Sequence, residues 1–292
     1  LIDQLPAQEQ RSLSALEKAL GLGSKADQEQ LRIALTALVR VGVLEETEAG
    51  ISRVRLLDPV TGKSRTVESL PAGVVGSLDV SDWGEIGLSL SSARSPSDAY
   101  SINPETLAVT RWTASETGGL DATKNAEPSL VEIKSFDGLK MSGFLYRPDA
   151  TKFPGKRPML MWVHGGPESQ SRPAFIGAYN YLVNELGIAL FYPNVRGSSG
   201  YGKTFVSLDN GAFKREDSVK DMGAFLDALA KDPGLDASRF ALTGRSYGGY
   251  MCYAAAVQFA EKLKSTHCVV AISNLSRHRM QPLPKYYKSA MA

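Results

Sequence analysis

The sequence predicts an α/β fold, a doubly wound sheet flanked by helices, over its second half, and three observations carry the prediction. Phe240-Ala241-Leu242 leads through Thr243-Gly244-Arg245-Ser246-Tyr247-Gly248-Gly249-Tyr250-Met251: a buried strand, a glycine-lined tight turn holding a serine, and a helix start. Upstream, Met159-Leu160-Met161-Trp162-Val163 is a short apolar run ending in His164-Gly165-Gly166-Pro167, a strand running into a glycine loop. Between them, strand-like and helix-like segments alternate, as a sheet with crossover helices requires.

Each element has its own signal. Leu130 to Phe136 and Leu139 to Tyr146, joined at Asp137-Gly138, form a hairpin entering the sheet. Phe175 to Leu186 follows Pro173, carries apolar residues on one face and stops at Gly187, the pattern of a helix. Ile188 to Tyr192 is a buried strand. Ser218 to Lys231 spaces Val219, Met222, Phe225, Leu226 and Leu229 helically, until Asp232-Pro233-Gly234 breaks it. Met251 to Leu263 is an alanine-rich helix with Lys262 and Lys264 at its end, and His267 to Ser273 one further strand.

The serine turn has the spelling of a nucleophile elbow. A bare G-x-S-x-G arises by composition in roughly one chain in ten of this length, so the flanking strand and helix decide the matter. A serine attacks carbonyls only when its hydroxyl projects clear of the sheet, which needs a strained turn between strand and helix. Gly244 and Gly248 keep side chains out of that turn, and Gly249 lets the helix approach the strands. Ser246 is therefore the candidate nucleophile. The backbone N–H of Tyr247, at the helix's positive end, is the first oxyanion donor. The loop at 164–167 matches the type that supplies the second donor; Gly166 is expected in that role, with Gly165 the alternative. His164 precedes the serine, whereas the order in this fold is serine, acid, histidine, so it is read as shaping the loop.

Three motifs in order, His164-Gly165-Gly166-Pro167, Arg196-Gly197-Ser198-Ser199-Gly200-Tyr201-Gly202 and Gly244-Arg245-Ser246-Tyr247-Gly248-Gly249-Tyr250-Met251, resemble the prolyl oligopeptidase family of serine peptidases, nearest its acylaminoacyl-peptidase-like branch. The resemblance covers roughly residues 57 to 275 and implies a β-propeller ahead of an α/β-hydrolase domain, with hydrolysis of short peptides. It implies no metal or organic cofactor. Arg196 becomes a candidate for binding a substrate carboxylate or carbonyl, although the Gly197 to Gly202 run reads more simply as a turn.

The preceding stretch fits that outline. Arg53 to Leu57, turned at Asp58-Pro59-Val60-Thr61-Gly62, then Ile86 to Leu90, Tyr100 to Ile102, Asn103-Pro104-Glu105 and Val109 to Trp112 read as short antiparallel strands with tight turns, like the last part of a propeller. The first fifty residues depart from it. Leu13, Leu16 and Leu20, then Leu31, Leu35 and Leu38, mark two amphipathic helices, followed by a small hairpin from Gly42-Val43-Leu44 and Ile51 to Val54. That outline resembles a winged helix, yet Lys25, Arg32 and Arg40 are mixed with Asp27 and Glu29, so a helical packing unit, or an unrelated segment joined to the peptidase, is favoured over a nucleic-acid interface. The expected organisation is 1–52 helical, 53–125 propeller blades and 126–292 an incomplete α/β-hydrolase domain.

The composition is that of a globular chain: 292 residues, 43% hydrophobic, net charge +2, which gives no steering toward nucleic acid or membrane. Cys252 and Cys268 read as buried thiols rather than a disulfide framework. No run is long enough to cross a bilayer and no secretory leader opens the chain, which favours a cytoplasmic setting.

One expectation concerns what is missing. A Ser-His-acid triad in this fold needs an acid and a histidine after Ser246, yet no Asp or Glu follows Glu261. His267 opens the last strand and His278 lies in a tail without a family counterpart. Asp221, Asp227, Asp232 and Asp236 precede the serine and are expected to cap, pair or be solvated. The chain therefore reads as a peptidase fragment holding nucleophile and oxyanion donors without base or orienting acid; an α/β-hydrolase esterase or lipase, and a non-catalytic fragment with a binding role, are the alternative readings.

Overall fold

A computed structural model describes residues 42–46, 51–57, 63–82, 84–210 and 214–273. The two helices expected before residue 41, and His278, lie outside the described residues.

Two small antiparallel sheets come first. Strands β1 (Gly42–Glu46), β2 (Ser52–Leu57) and β3 (Ser64–Thr66) pair in sequence, so the expected hairpin forms and continues into a third strand. Strands β4 (Val74–Val80), β5 (Ile86–Ser92), β6 (Ser95–Ile102) and β7 (Val109–Arg111) make a four-stranded meander in spatial order β4-β5-β6-β7. Alternation explains one shared core: Val54 and Leu56 of β2 meet Ile86, Leu88 and Leu90 of β5 and Tyr100 and Ile102 of β6. Asp98 on β6 is wholly buried and satisfied by Ser95, Arg111, Thr113 and Ser115, a polar clamp across the meander.

The larger unit is a six-stranded sheet. Strands β8 (Ser129–Lys134) and β9 (Lys140–Tyr146) form the expected antiparallel hairpin, and β9 runs antiparallel to β11 (Ala189–Asn194). Strand β10 (Arg157–Val163) is parallel to β11 on one side and to β12 (Leu235–Arg245) on the other, and β12 is parallel to β13 (Ser265–Val269). The spatial order is β13-β12-β10-β11-β9-β8. Helices α1 (Asn180–Asn184), α2 (Lys203–Val206), α3 (Arg215–Leu229) and α4 (Tyr247–Gln258) occupy the crossovers. Met159, Met161 and Val163 of β10 face α3 and α4, where Val219, Met222, Phe225, Leu226, Met251 and Cys252 complete the main core; Leu160 faces the other side, with Phe144, Leu190 and Val183.

Several boundaries differ from expectation. The helix expected over 175–186 is reduced to a 3₁₀ turn at Gly177–Tyr179 and the five residues of α1, because Gly177 sits at φ 55° and interrupts any helix through it. Helix α4 ends at Gln258: Phe259 leaves helical geometry and packs its ring against Gly223 of α3, where a Cβ would lie 2.6 Å from the ring. Strand β13 stops at Val269, because Val270 takes φ 40°. The cysteines are not thiols. The pairing of Gly244 with Cys268 carries that residue alongside β12 beneath α4, its Cα 5.5 Å from that of Cys252, and the two form a disulfide.

Candidate active site

The topology places the site. The chain passes from β10 to β11 on one side and then returns across β10 to β12 on the other, so strand order reverses between β10 and β12. A crevice opens outside the carboxyl ends of strands at such a switch point. The two loops leaving those ends are the serine turn and the glycine loop.

Ser246 joins β12 to α4 with φ 58° and ψ −120°, a backbone state that L residues with side chains rarely adopt. The neighbours enforce it. A Cβ at Gly244 would lie 2.2 Å from the Gly248 carbonyl oxygen, and one at Gly248 would lie 2.3 Å from that of Val163. A Cβ at Gly249 would meet Ala271 at 2.8 Å, so α4 presses on the chain leaving β13. The Ser246 N–H donates to the Val269 carbonyl at 3.1 Å. Ser246 is partly exposed, and its hydroxyl has no hydrogen-bond partner among the described residues.

Tyr247 is the first residue of α4, so its N–H has no intrahelical acceptor and lies at the positive end of the helix. Its side chain points into the core: the hydroxyl donates to Asp209 at 3.2 Å, and the Arg215 guanidinium lies 5.2 Å from the ring centre. Burial pushes the Asp209 carboxyl above its ordinary value, an effect that Arg215, at 3.7 Å, partly offsets. Nothing in the residue pattern had singled out this buried Asp209–Arg215–Tyr247 cluster. The one trace is Gly197, whose Cβ would lie 2.4 Å from the Asp209 carboxyl carbon.

The glycine loop stacks on the elbow. A Cβ at Gly165 would lie 3.0 Å from the Arg245 carbonyl oxygen, 3.4 Å from the Ser246 Cβ and 3.8 Å from the Tyr247 nitrogen. Gly166, one residue on, takes φ 131°. The His164 ring is held within the loops: Nδ1 is 2.8 Å from the Gly165 carbonyl oxygen and Nε2 is 2.9 Å from Ser198 Oγ. It does not reach the nucleophile, in keeping with a loop-shaping role. His267, on β13, sits beside Thr243, its Nδ1 3.4 Å from the threonine hydroxyl.

Arg196 is corrected as a substrate-binding candidate. Its side chain is 5% exposed and fully engaged: Nε and Nη2 donate to Asp221 at 2.8 Å each, and Nη1 and Nη2 to Asp137 at 3.0 and 3.1 Å. The Phe136 ring closes over it at 4.8 Å. With the guanidinium satisfied internally, Arg196 fastens the turn after β11 to α3 and to the β8–β9 hairpin. The remaining acids pair as expected: Asp227 with Lys262, Asp232 with Arg147, Asp236 with Arg239.

A strand–turn–helix serine at the switch point of a mostly parallel sheet, faced by a glycine loop, defines the α/β-hydrolase class. Within that class the relationship is to the prolyl oligopeptidase family, whose model matches residues 173–290. Residues 1–54 match a different one, the N-terminal domain of cyanobacterial RNase R. Among curated relatives, an uncharacterized peptidase, YuxL, of Bacillus subtilis is 33% identical over 124 residues, 42% of this chain and 19% of its own. Dipeptidyl aminopeptidase BIII of Pseudoxanthomonas mexicana is 28% identical over 86% of this chain and 40% of its own. The crystal structure of a puromycin hydrolase superposes with a TM-score of 0.70 at 23% identity, covering 78% of this chain and 34% of that one. The chain thus spans about a fifth to two fifths of the length of the curated relatives it matches. Among the described residues, no helix is long and apolar enough to cross a membrane.

Proposed function

We propose that this chain carries the nucleophile of a serine peptidase that hydrolyses short peptides through an acyl-enzyme on Ser246. The observation that carries the reading is the strained Ser246 backbone at the β12–α4 junction, with Gly165 packed so closely that a Cβ on it would lie 3.4 Å from the Ser246 Cβ. In the reaction, Ser246 Oγ attacks the scissile carbonyl carbon while a histidine accepts its proton; the carbonyl oxygen becomes an oxyanion received by the N–H groups of Tyr247 and Gly166. The same histidine then protonates the leaving amine. This chemistry calls for no metal or organic cofactor.

The proposal assigns the histidine and its orienting acid to parts of the protein outside these 292 residues. The His164 ring is committed to Gly165 and Ser198, and no acid follows Glu261. Without base and acid, the residual acceleration from oxyanion stabilisation and binding is on the order of 10³ to 10⁴, far below that of a complete triad. A peptidase is favoured over an esterase because, among the described residues before residue 130, antiparallel strands and hairpins stand where an esterase would carry a lid-like helix. The β4–β7 meander supports the reading of that stretch as a propeller blade, which would screen out folded substrates.

The test has two parts. These 292 residues should hydrolyse a peptide p-nitroanilide barely if at all and resist an active-site phosphonate; robust turnover abolished by Ser246→Ala would overturn the assignment of base and acid. In the full-length protein Ser246→Ala should abolish peptidase activity, and retained activity would remove Ser246 from the mechanism.

A further inference from the structure

We propose that Arg245 is the specificity-determining residue of this site, its guanidinium receiving a carboxylate that the substrate carries within one residue of the scissile bond. The inference deepens the reading of Ser246 as the nucleophile and rests on it.

The backbone roots this side chain at the reacting centre. Arg245 ends β12 and Ser246 follows it, so their Cα atoms stand about 3.8 Å apart across one peptide bond. Gly244 pairs with Val163 and Arg245 with Val269, which sets Arg245 level with the start of the glycine loop. A Cβ at Gly165 would lie 3.0 Å from the Arg245 carbonyl oxygen, so the loop packs down on that peptide. Alternation then decides the side. Leu242 enters the main core and Gly244 abuts Gly248 of α4, so Thr243 and Arg245 stand on the opposite face, beside His267 and Val269 of β13. The one carboxylate on these two strands, Asp236, lies at the far end of β12 and is bound by Arg239.

Its charge sets Arg245 apart. Where the sheet and its helices use an arginine as scaffold, a partner holds it: Arg147 by Asp232, Arg196 by Asp221 and Asp137, Arg239 by Asp236, and Arg157 by the Gly187 carbonyl. Arg215 likewise lies 3.7 Å from Asp209. Arg245 is exposed, and among the described residues its guanidinium has no hydrogen bond, ion pair or ring contact. Glu168, two residues past Gly166, is also exposed and makes no ion pair with it. A guanidinium stays protonated across the physiological range, so it cannot take the serine proton. What it offers is a planar fork of donors matched to a carboxylate. In a short peptide two carboxylates stand that near the reacting carbon: the side chain of an acidic residue on the acyl side of the scissile bond, and the free C-terminus of a one-residue leaving group. Charge-assisted hydrogen bonds of this kind alter binding by about tenfold to a hundredfold.

Two pairs of substrates, each differing only in charge, read the interaction in the full-length protein. Dipeptide p-nitroanilides ending in glutamate or glutamine test the side-chain source, and tripeptides with a free or an amidated C-terminus, cleaved to release one residue, test the terminal one. Wild type should favour the acidic member of at least one pair by about tenfold or more in kcat/KM. Arg245→Gln should bring that ratio to within about twofold of unity, Arg245→Lys should keep part of it, and Arg245→Glu should invert it. The ratio is taken within one preparation, so a variant that folds poorly lowers both rates and leaves the ratio readable. No acidic preference in either pair, or a preference that survives Arg245→Gln, overturns the proposal. Ser246→Ala keeps the two readings apart. Turnover retained by Ser246→Ala removes the nucleophile and this proposal with it, whereas turnover lost in Ser246→Ala with no effect of Arg245→Gln on the ratio removes the arginine alone.

Discussion

The Ser246 N–H donates to the Val269 carbonyl at 3.1 Å, which makes β13, the outermost strand among the described residues, a support of the elbow. The residue before Val269 is Cys268, tied to Cys252 in the helix that begins at the elbow. The disulfide thus closes a triangle of strand, turn and helix around the serine. Joining residues 16 apart, it should contribute about 3 kcal/mol by restricting the unfolded chain. The double variant Cys252→Ala/Cys268→Ala should therefore lose about 2–4 kcal/mol in urea unfolding, with faster exchange of the Ser246 amide. An unchanged midpoint would show that the crosslink holds nothing that packing does not.

Strain at the elbow gives a prediction of opposite sign. At φ 58° and ψ −120°, Ser246 occupies a region open to glycine but costing other residues about 1–3 kcal/mol. Ser246→Gly relieves that strain against an added backbone entropy cost of about 0.5–1 kcal/mol, for a net gain of about 1 kcal/mol. Calorimetry on the two proteins checks this. A loss of stability would mean that the hydroxyl is a structural group rather than a functional one held under strain.

The same physics explains what the sequence made legible. Gly244, Gly248 and Gly249 could be read in advance because each is demanded by one close backbone approach within a few residues or across one strand. Helix α3 was legible because its apolar spacing repeats for four turns. The disulfide was not, since it depends on the register that sets Cys268 beside Gly244. The fate of Arg196 was hidden likewise: its partners Asp221 and Asp137 lie 25 and 59 residues away and converge only through the sheet order. The shortened α1 shows local conformation prevailing over amphipathic pattern, because one glycine at φ 55° ends what the periodicity would continue.

Asp98 sets an acid limit on the meander. Burial alone would raise its pKa, but hydrogen bonds from Ser95, Ser115 and Arg111 outweigh that and hold the carboxyl well below its ordinary 3.8. A group whose folded pKa is depressed stabilises the fold above its unfolded pKa and loses that contribution as pH falls through the folded one. Asp98→Asn should therefore cost about 2 kcal/mol at pH 7, and the gap between variant and wild type should narrow steadily below about pH 4. A gap that stays constant to pH 2 would mean that the carboxylate's charge is immaterial there.

Arg196 offers the sharpest separation of scaffold from substrate binding. Its fork matches the Asp221 carboxylate with two bonds at 2.8 Å, and a lysine cannot reproduce both. Arg196→Met strands Asp221, which is fully buried, and should cost about 3–5 kcal/mol; Arg196→Lys should cost somewhat less. Because the larger part of that loss is an uncompensated carboxylate, Arg196→Met/Asp221→Asn should be more stable than Arg196→Met alone. A thermodynamic cycle over the four proteins measures this coupling. If the side chain served a substrate instead, Arg196→Lys would leave stability intact and weaken binding of a peptide substrate, and the cycle would show no coupling. The ion pair with Asp221 predicts the reverse on both counts.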